Sequence, residues 1–229
     1  MKPIINGLLF VIVTACAYAQ GASIRLHVVH RFSFADEVAE GSVQAVFPED
    51  QQPKATETQK IIIHPHPREV AIGKGKSLLV WFSYTNPPTN KHEVYGEADQ
   101  PDFGAVLSNR TLYVCSWRSP ELSVPVLNQY LRSVLSGRMS QKDARSTAVL
   151  LARCSEHLQV LDETTPELDG LREQLVKIGH LPTVVATTDG FLVTFFTWTG
   201  LPQGELSKWS IHMKGRLIAD VKREHVTNI

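Results

Sequence analysis

Hydrophobic and polar positions change period along the chain, dividing it into three zones. From about Ser23 to Trp117 the apolar residues come in short runs, often alternating with polar ones at the period of two that marks β-strands. "IRLHVV", "RFSFADEV", "SVQAVF" and "KIIIH" are such runs, and "RTLYVCSW" (110–117) closes the zone. The strongest is "SLLVWFSY" (77–84), which predicts a strand with Leu78, Val80, Phe82 and Tyr84 on one face. Its connectors are polar and rich in proline. "PEDQQPKATETQ" (48–59) predicts an exposed loop. The stretch 85–104, "TNPPTNKHEVYGEADQPDFG", predicts a long loop of the kind that carries function.

The period then lengthens to that of a helix. Ser123 is the expected cap of a first helix, with Pro125 in its first turn, where a missing N–H costs nothing. Leu127, Tyr130, Leu131, Val134 and Leu135 form its inward stripe, and Gly137 stops it. Ser140 starts a second helix with Asp143 at its acidic third position. Ala144, Ala148, Leu151, Leu158 and Leu161 are its stripe, and Cys154 lies beside them. Thr165-Pro166-Glu167 opens a third, with Leu168, Leu171, Leu175 and Ile178 facing inward as far as Gly179.

From about Thr183 to Val226 the period returns to two. "TVVATT", "FLVTFFTW", "LSKWSIHM" and "RLIADVKRE" are separated by Asp189-Gly190, "GLPQG" and Lys214-Gly215, all turn formers. Trp209, Ile211 and Met213 are expected on one face of the third strand, and Lys208, Ser210 and His212 on the other. "FLVTFFTW" is apolar on both faces, as a strand covered on both sides is. The whole therefore predicts an α+β fold. It has a β-rich N-terminal part (20–118), a three-helix middle segment (119–180) and a C-terminal four-stranded antiparallel meander (181–229). Residues 20–229 are expected to form a single exported domain.

The first nineteen residues belong to another class. Lys2 is followed by the apolar run Leu8–Val13 and by Ala17-Tyr18-Ala19, the three parts of a secretory signal peptide cleaved after Ala19. The run is too short to span a bilayer, and no other segment is long and apolar enough. Val13-Thr14-Ala15-Cys16 offers a second processing site, at which Cys16 would carry a lipid. The expected location is periplasmic or secreted, with a lipoprotein anchored at Cys16 as the alternative.

Composition narrows the partners. Lys plus Arg and Asp plus Glu both number 23, so no net basic field invites nucleic acid. In an exported chain Cys115 and Cys154 can pair as a disulfide, or stand apart as buried thiols. Asn109-Arg110-Thr111 fits a glycosylation acceptor in a eukaryotic source.

Chemistry concentrates in "HPHPRE" (64–69). His64 and His66 are two apart on a backbone that proline extends, so their imidazoles share a face, a start for zinc or copper. His92 in the 85–104 loop is the expected third ligand, with Glu69, His27 and His30 as further donors. The alternative is a stiff connector that happens to carry imidazoles. No nucleophile elbow, C-x-x-C or dinucleotide motif is present, and "GKGK" (73–76) reads as a tight turn before a strand. Asp99, Asp102 and Glu97 lack calcium-loop spacing. Two functions follow. The first is a non-catalytic exported binding or assembly protein whose ligand is a protein or small molecule. The second is a metal-dependent extracytoplasmic enzyme, such as a hydrolase, built on the His64/His66 pair.

Overall fold

A computed structural model describes residues 23–29, 40–51, 59–64, 67–85, 103–116, 118–156, 159–161, 179, 181–199 and 205–228. The signal segment, Cys16, Ala19, His30, His66, His92, Trp117 and the third helix expected near 165–178 lie outside them. The fold is mixed α+β and rich in strands, with two helices and one 3-10 turn among the described residues.

Seven strands fall in the first half of the chain: β1 (Ser23–Val28), β2 (Gly41–Val46), β3 (Gln59–Ile63), β4 (Arg68–Glu69), β5 (Ser77–Tyr84), β6 (Phe103–Ser108) and β7 (Thr111–Val114). They lie in the order β3-β1-β2-β7-β6-β5-β4, and β3 also pairs with β5. That last pairing closes six of the strands into a ring. The pairs β1–β3 and β2–β7 are parallel and the other four around the ring are antiparallel. Strand alternation then sends one residue in two to the inside. Leu26, Val28, Val43, Ala45, Ile61, Ile63, Leu78, Val80, Phe82, Ala105, Leu112 and Val114, joined by Phe47, make one buried apolar cluster. The ring is thus a barrel filled by its own aliphatic and aromatic side chains. Closure removes the sheet edges that an open sheet would expose.

The β6–β7 hairpin turns on Asn109 and Arg110, both at positive φ (48° and 60°). This is the two-residue turn whose twist matches the flanking strands. Asn tolerates that conformation; Arg110 is held there while its guanidinium donates to the Ser42 carbonyl.

The outer wall of the barrel carries the helices. α1 (Pro120–Val134) begins a turn before the expected Ser123, with Pro120 at the helix start and Ser119 before it. Ser123 is buried inside α1, where its hydroxyl accepts the Ser116 N–H at 2.8 Å. Pro125 therefore sits in the helix interior rather than its first turn. α2 (Gln141–Glu156) opens on a reciprocal cap. The Asp143 N–H donates to Ser140 Oγ, and the Ser140 N–H and O–H donate to the Asp143 carboxylate.

After the two-residue β8 (Gln159–Val160) come β9 (Thr183–Ala186), β10 (Gly190–Trp198), β11 (Glu205–Lys214) and β12 (Leu217–Asn228). The last four pair antiparallel in sequence order, and β8 adds to the same edge of β10 as β9. Trp209, Ile211 and Met213 of β11, with Val193 and Phe195 of β10, face α1 and α2. Phe196 and Trp198 of β10 are buried on the opposite face with Leu161 and Leu206. The helices are the middle layer: Val46, Leu79, Val106 and Tyr113 of the barrel wall and the inner face of the C-terminal sheet meet in one cluster around them.

Candidate functional site

One end of the barrel is rimmed by aromatic rings. Phe82 and Phe103 are cross-strand partners on β5 and β6, and Tyr84 lies two residues beyond Phe82 on the same face. The Phe82 and Phe103 rings stack at 5.3 Å, and Tyr84 meets them edge-on at 6.0 and 5.6 Å. Phe82 is buried, whereas Tyr84 and Phe103 are half-buried at the rim. The long connection expected at 85–104 leaves the barrel here, at Thr85, whose N–H and hydroxyl donate to the Lys60 carbonyl. It returns at Phe103, so the last residues of that expected loop belong to β6. Residues 86–102 lie outside the described set.

"HPHPRE" occupies the neighbouring seam. Ile63 pairs with Phe82 and Arg68 with Leu79, so five steps along β3 and β4 match three along β5. The connection between β3 and β4 thus carries two residues more than the facing stretch of β5. The His64 N–H donates to the Trp81 carbonyl at 2.7 Å, and its Nε2 is hydrogen-bonded to Ser83 Oγ at 3.2 Å. With Ile63 inside the barrel, His64 stands on the outer wall, half-buried.

The expected metal ligands are not brought together in the described residues. His27 is level with Lys60 on the adjacent β3, four residues, or about 13 Å of strand, from His64. Glu69 is exposed on β4. Among the described residues no group of three or more His, Cys, Asp or Glu is placed to hold a metal ion. His66, His92 and His30 lie outside them.

The structure pairs Cys115 and Cys154, the alternative that sequence left open. Their Cα atoms are 5.9 Å apart, and the disulfide ties the end of β7 to the last turn of α2. Both residues are buried. Gly104 lies against the bridge: a Cβ there would collide with the Cys154 carbonyl and the Trp81 ring. The Cys115 N–H donates to the Gly104 carbonyl, completing the contact.

Two polar networks on the C-terminal sheet were not foreseen. Glu205 accepts from His225 Nδ1 at 2.8 Å and from Ser207 Oγ at 3.3 Å, while Arg223 Nε donates to Ser207 Oγ. The Arg223 guanidinium lies over the Trp209 ring at 5.4 Å, and Trp209 Nε1 donates to Thr197 Oγ1. The His225 hydrogen bond, more than the Arg223 charge, holds the Glu205 carboxyl below its ordinary range. On the other face Asp189 accepts from Thr187, and His212 and Lys214 stand beside it at 3.2 and 3.7 Å. The Thr187 hydrogen bond leads in holding that carboxyl low. In the first network the Ser207 hydroxyl bonds a carboxylate and a guanidinium rather than an imidazole. Only cross-strand register assembles either group, and the turn signals alone do not fix it: β12 carries two bulges against β11.

Comparison with protein-family models, curated proteins and solved structures finds no match to this chain.

Proposed function

We propose that this is an exported binding or assembly protein that recognises its ligand at the barrel rim. The observation that carries the reading is the cluster of Phe82, Tyr84 and Phe103. Below the rim the barrel is packed with apolar side chains. At the rim two half-buried rings give a hydrophobic surface with defined stacking geometry and a phenol at its edge, the kind of surface that anchors recognition. The disulfide supports the exported half of the reading, since such bonds persist in oxidising compartments.

A photo-crosslinking residue in place of Tyr84, in protein produced with its leader in its own cells, tests this. The expected result is a discrete adduct that the same probe at Thr183, on the distant β9 edge, does not give. No adduct, or the same adduct from both positions, would overturn the reading. So would stoichiometric zinc or copper in the purified protein that His64→Ala removes, which would establish metal-dependent chemistry instead.

A further inference from the structure

Four pieces of backbone meet at the C-terminal end of α1. The Lys74 N–H donates to the Val134 carbonyl at 3.3 Å, and the Gly73 N–H donates to Asp143 Oδ1 at 3.1 Å. Arg216, in the β11–β12 turn, donates from Nη1 to the Leu135 carbonyl at 2.7 Å. These bonds gather the 73–76 turn, the α1–α2 link, the first turn of α2 and the β11–β12 turn at one corner. Each brings a cation: Lys74 and Lys76, Arg138, Lys142 and Arg216. All but Arg216 are exposed, and among the described residues none of the five is in an ion pair.

The carboxylates at this corner are already engaged. Asp143 is held by Ser140 and Gly73, and Asp189, beside the β11–β12 turn, by Thr187, His212 and Lys214. Glu69, at the base of the 73–76 turn, is exposed on β4. The five cations and Lys214 still outnumber Glu69, Asp143, Asp189 and Asp220 in this region, so positive charge is in local excess.

We infer that this corner is a docking surface for anionic lipid headgroups. Its cations stand on separate turns and line no single cavity, which suits a plane of phosphates better than one small anion. Gly75 and Gly137 leave the backbone open, with nothing within 4 Å of where a Cβ would stand, so headgroups can approach closely. Attraction of this kind adds with each Lys or Arg near the surface and falls with salt. The inference rests on the exported reading only for the membrane it would meet in the cell. Vesicle binding by the purified chain can fail while export and rim binding stand, and the reverse.

Co-sedimentation of the disulfide-bonded protein with phosphatidylcholine vesicles, with and without phosphatidylglycerol, is the test. The wild type should sediment with the anionic vesicles alone and be released by salt. Lys74→Glu/Lys76→Glu/Arg138→Glu should bind at least about tenfold more weakly with an unchanged melting temperature, and the milder Lys74→Gln/Arg138→Gln should fall between. Equal binding to both vesicles, or undiminished binding by the triple variant, would overturn the inference. Binding to a soluble anionic polysaccharide with none to vesicles would overturn it too, in favour of that partner.

Discussion

Asn128 shows how one side chain can stand in for a strand. It is buried in the middle of α1, where its Nδ2 donates to the Ile218 carbonyl at 2.9 Å and its Oδ1 accepts the Ile218 N–H at 2.8 Å. β12 is the last strand of its sheet, and the amide satisfies both backbone groups at its start as a neighbouring strand would. Asn128→Leu leaves that N–H and C=O buried and unpaired, and should cost about 2–4 kcal/mol in urea unfolding. Tyr130 is the contrasting case. Its hydroxyl is buried without a well-formed hydrogen bond. Burial raises its pKa, with Ser77 acting the other way. Tyr130→Phe should therefore change stability by less than about 0.5 kcal/mol or raise it. At Asp143 burial pushes the carboxyl up, but the Ser140 and Gly73 hydrogen bonds and the Lys142 charge outweigh it and hold the group below its ordinary value. A carboxyl lowered on folding adds stability above its unfolded pKa and loses it as pH falls through the folded value. Melting temperature should thus decline below about pH 4, less steeply in Asp143→Asn than in the parent. Equal slopes would show that the cap is not what titrates.

At the scale of elements, period decides what sequence can reveal. β5 spans the predicted 77–84, and the α1 stripe is buried as predicted, because each has a long regular pattern. α1 starts early because two prolines fit a first helical turn, and the Ser123 hydroxyl, the expected cap, is taken by the Ser116 N–H. β6 hides because it begins directly after a proline-containing run and its central inward residue, between Phe103 and Leu107, is the small Ala105. At "HPHPRE" the local pattern shows nothing of His64's partners Ser83 and Trp81, which come from another strand. The disulfide is the strongest single link between elements. It closes a loop of 39 residues, so Cys115→Ala/Cys154→Ala should lower stability by about 4 kcal/mol in chemical unfolding. Because both sulfurs are buried, reductant should open the bond in native buffer far more slowly than in denaturant. Equally fast reduction would show that the β7–α2 contact opens readily.

The whole molecule turns on pairings between distant segments. A β-rich first half can be read from alternation, but closure needs β3 against β5 and β2 parallel to β7, and local sequence carries no signal for either. The same holds for the rim, where Tyr84 meets Phe103 only because β5 and β6 are in register. Among the described residues no helix is long and apolar enough to cross a membrane. What remains to be tested is that the finished chain works outside the cytoplasm with its disulfide formed. Intact mass spectrometry of the protein recovered from the exported fraction addresses this most directly. The proposed account predicts a chain starting at Gln20, or at a lipid-bearing Cys16, that lacks the thiol hydrogens of Cys115 and Cys154. A full-length chain retained inside the cell with both thiols free would contradict it.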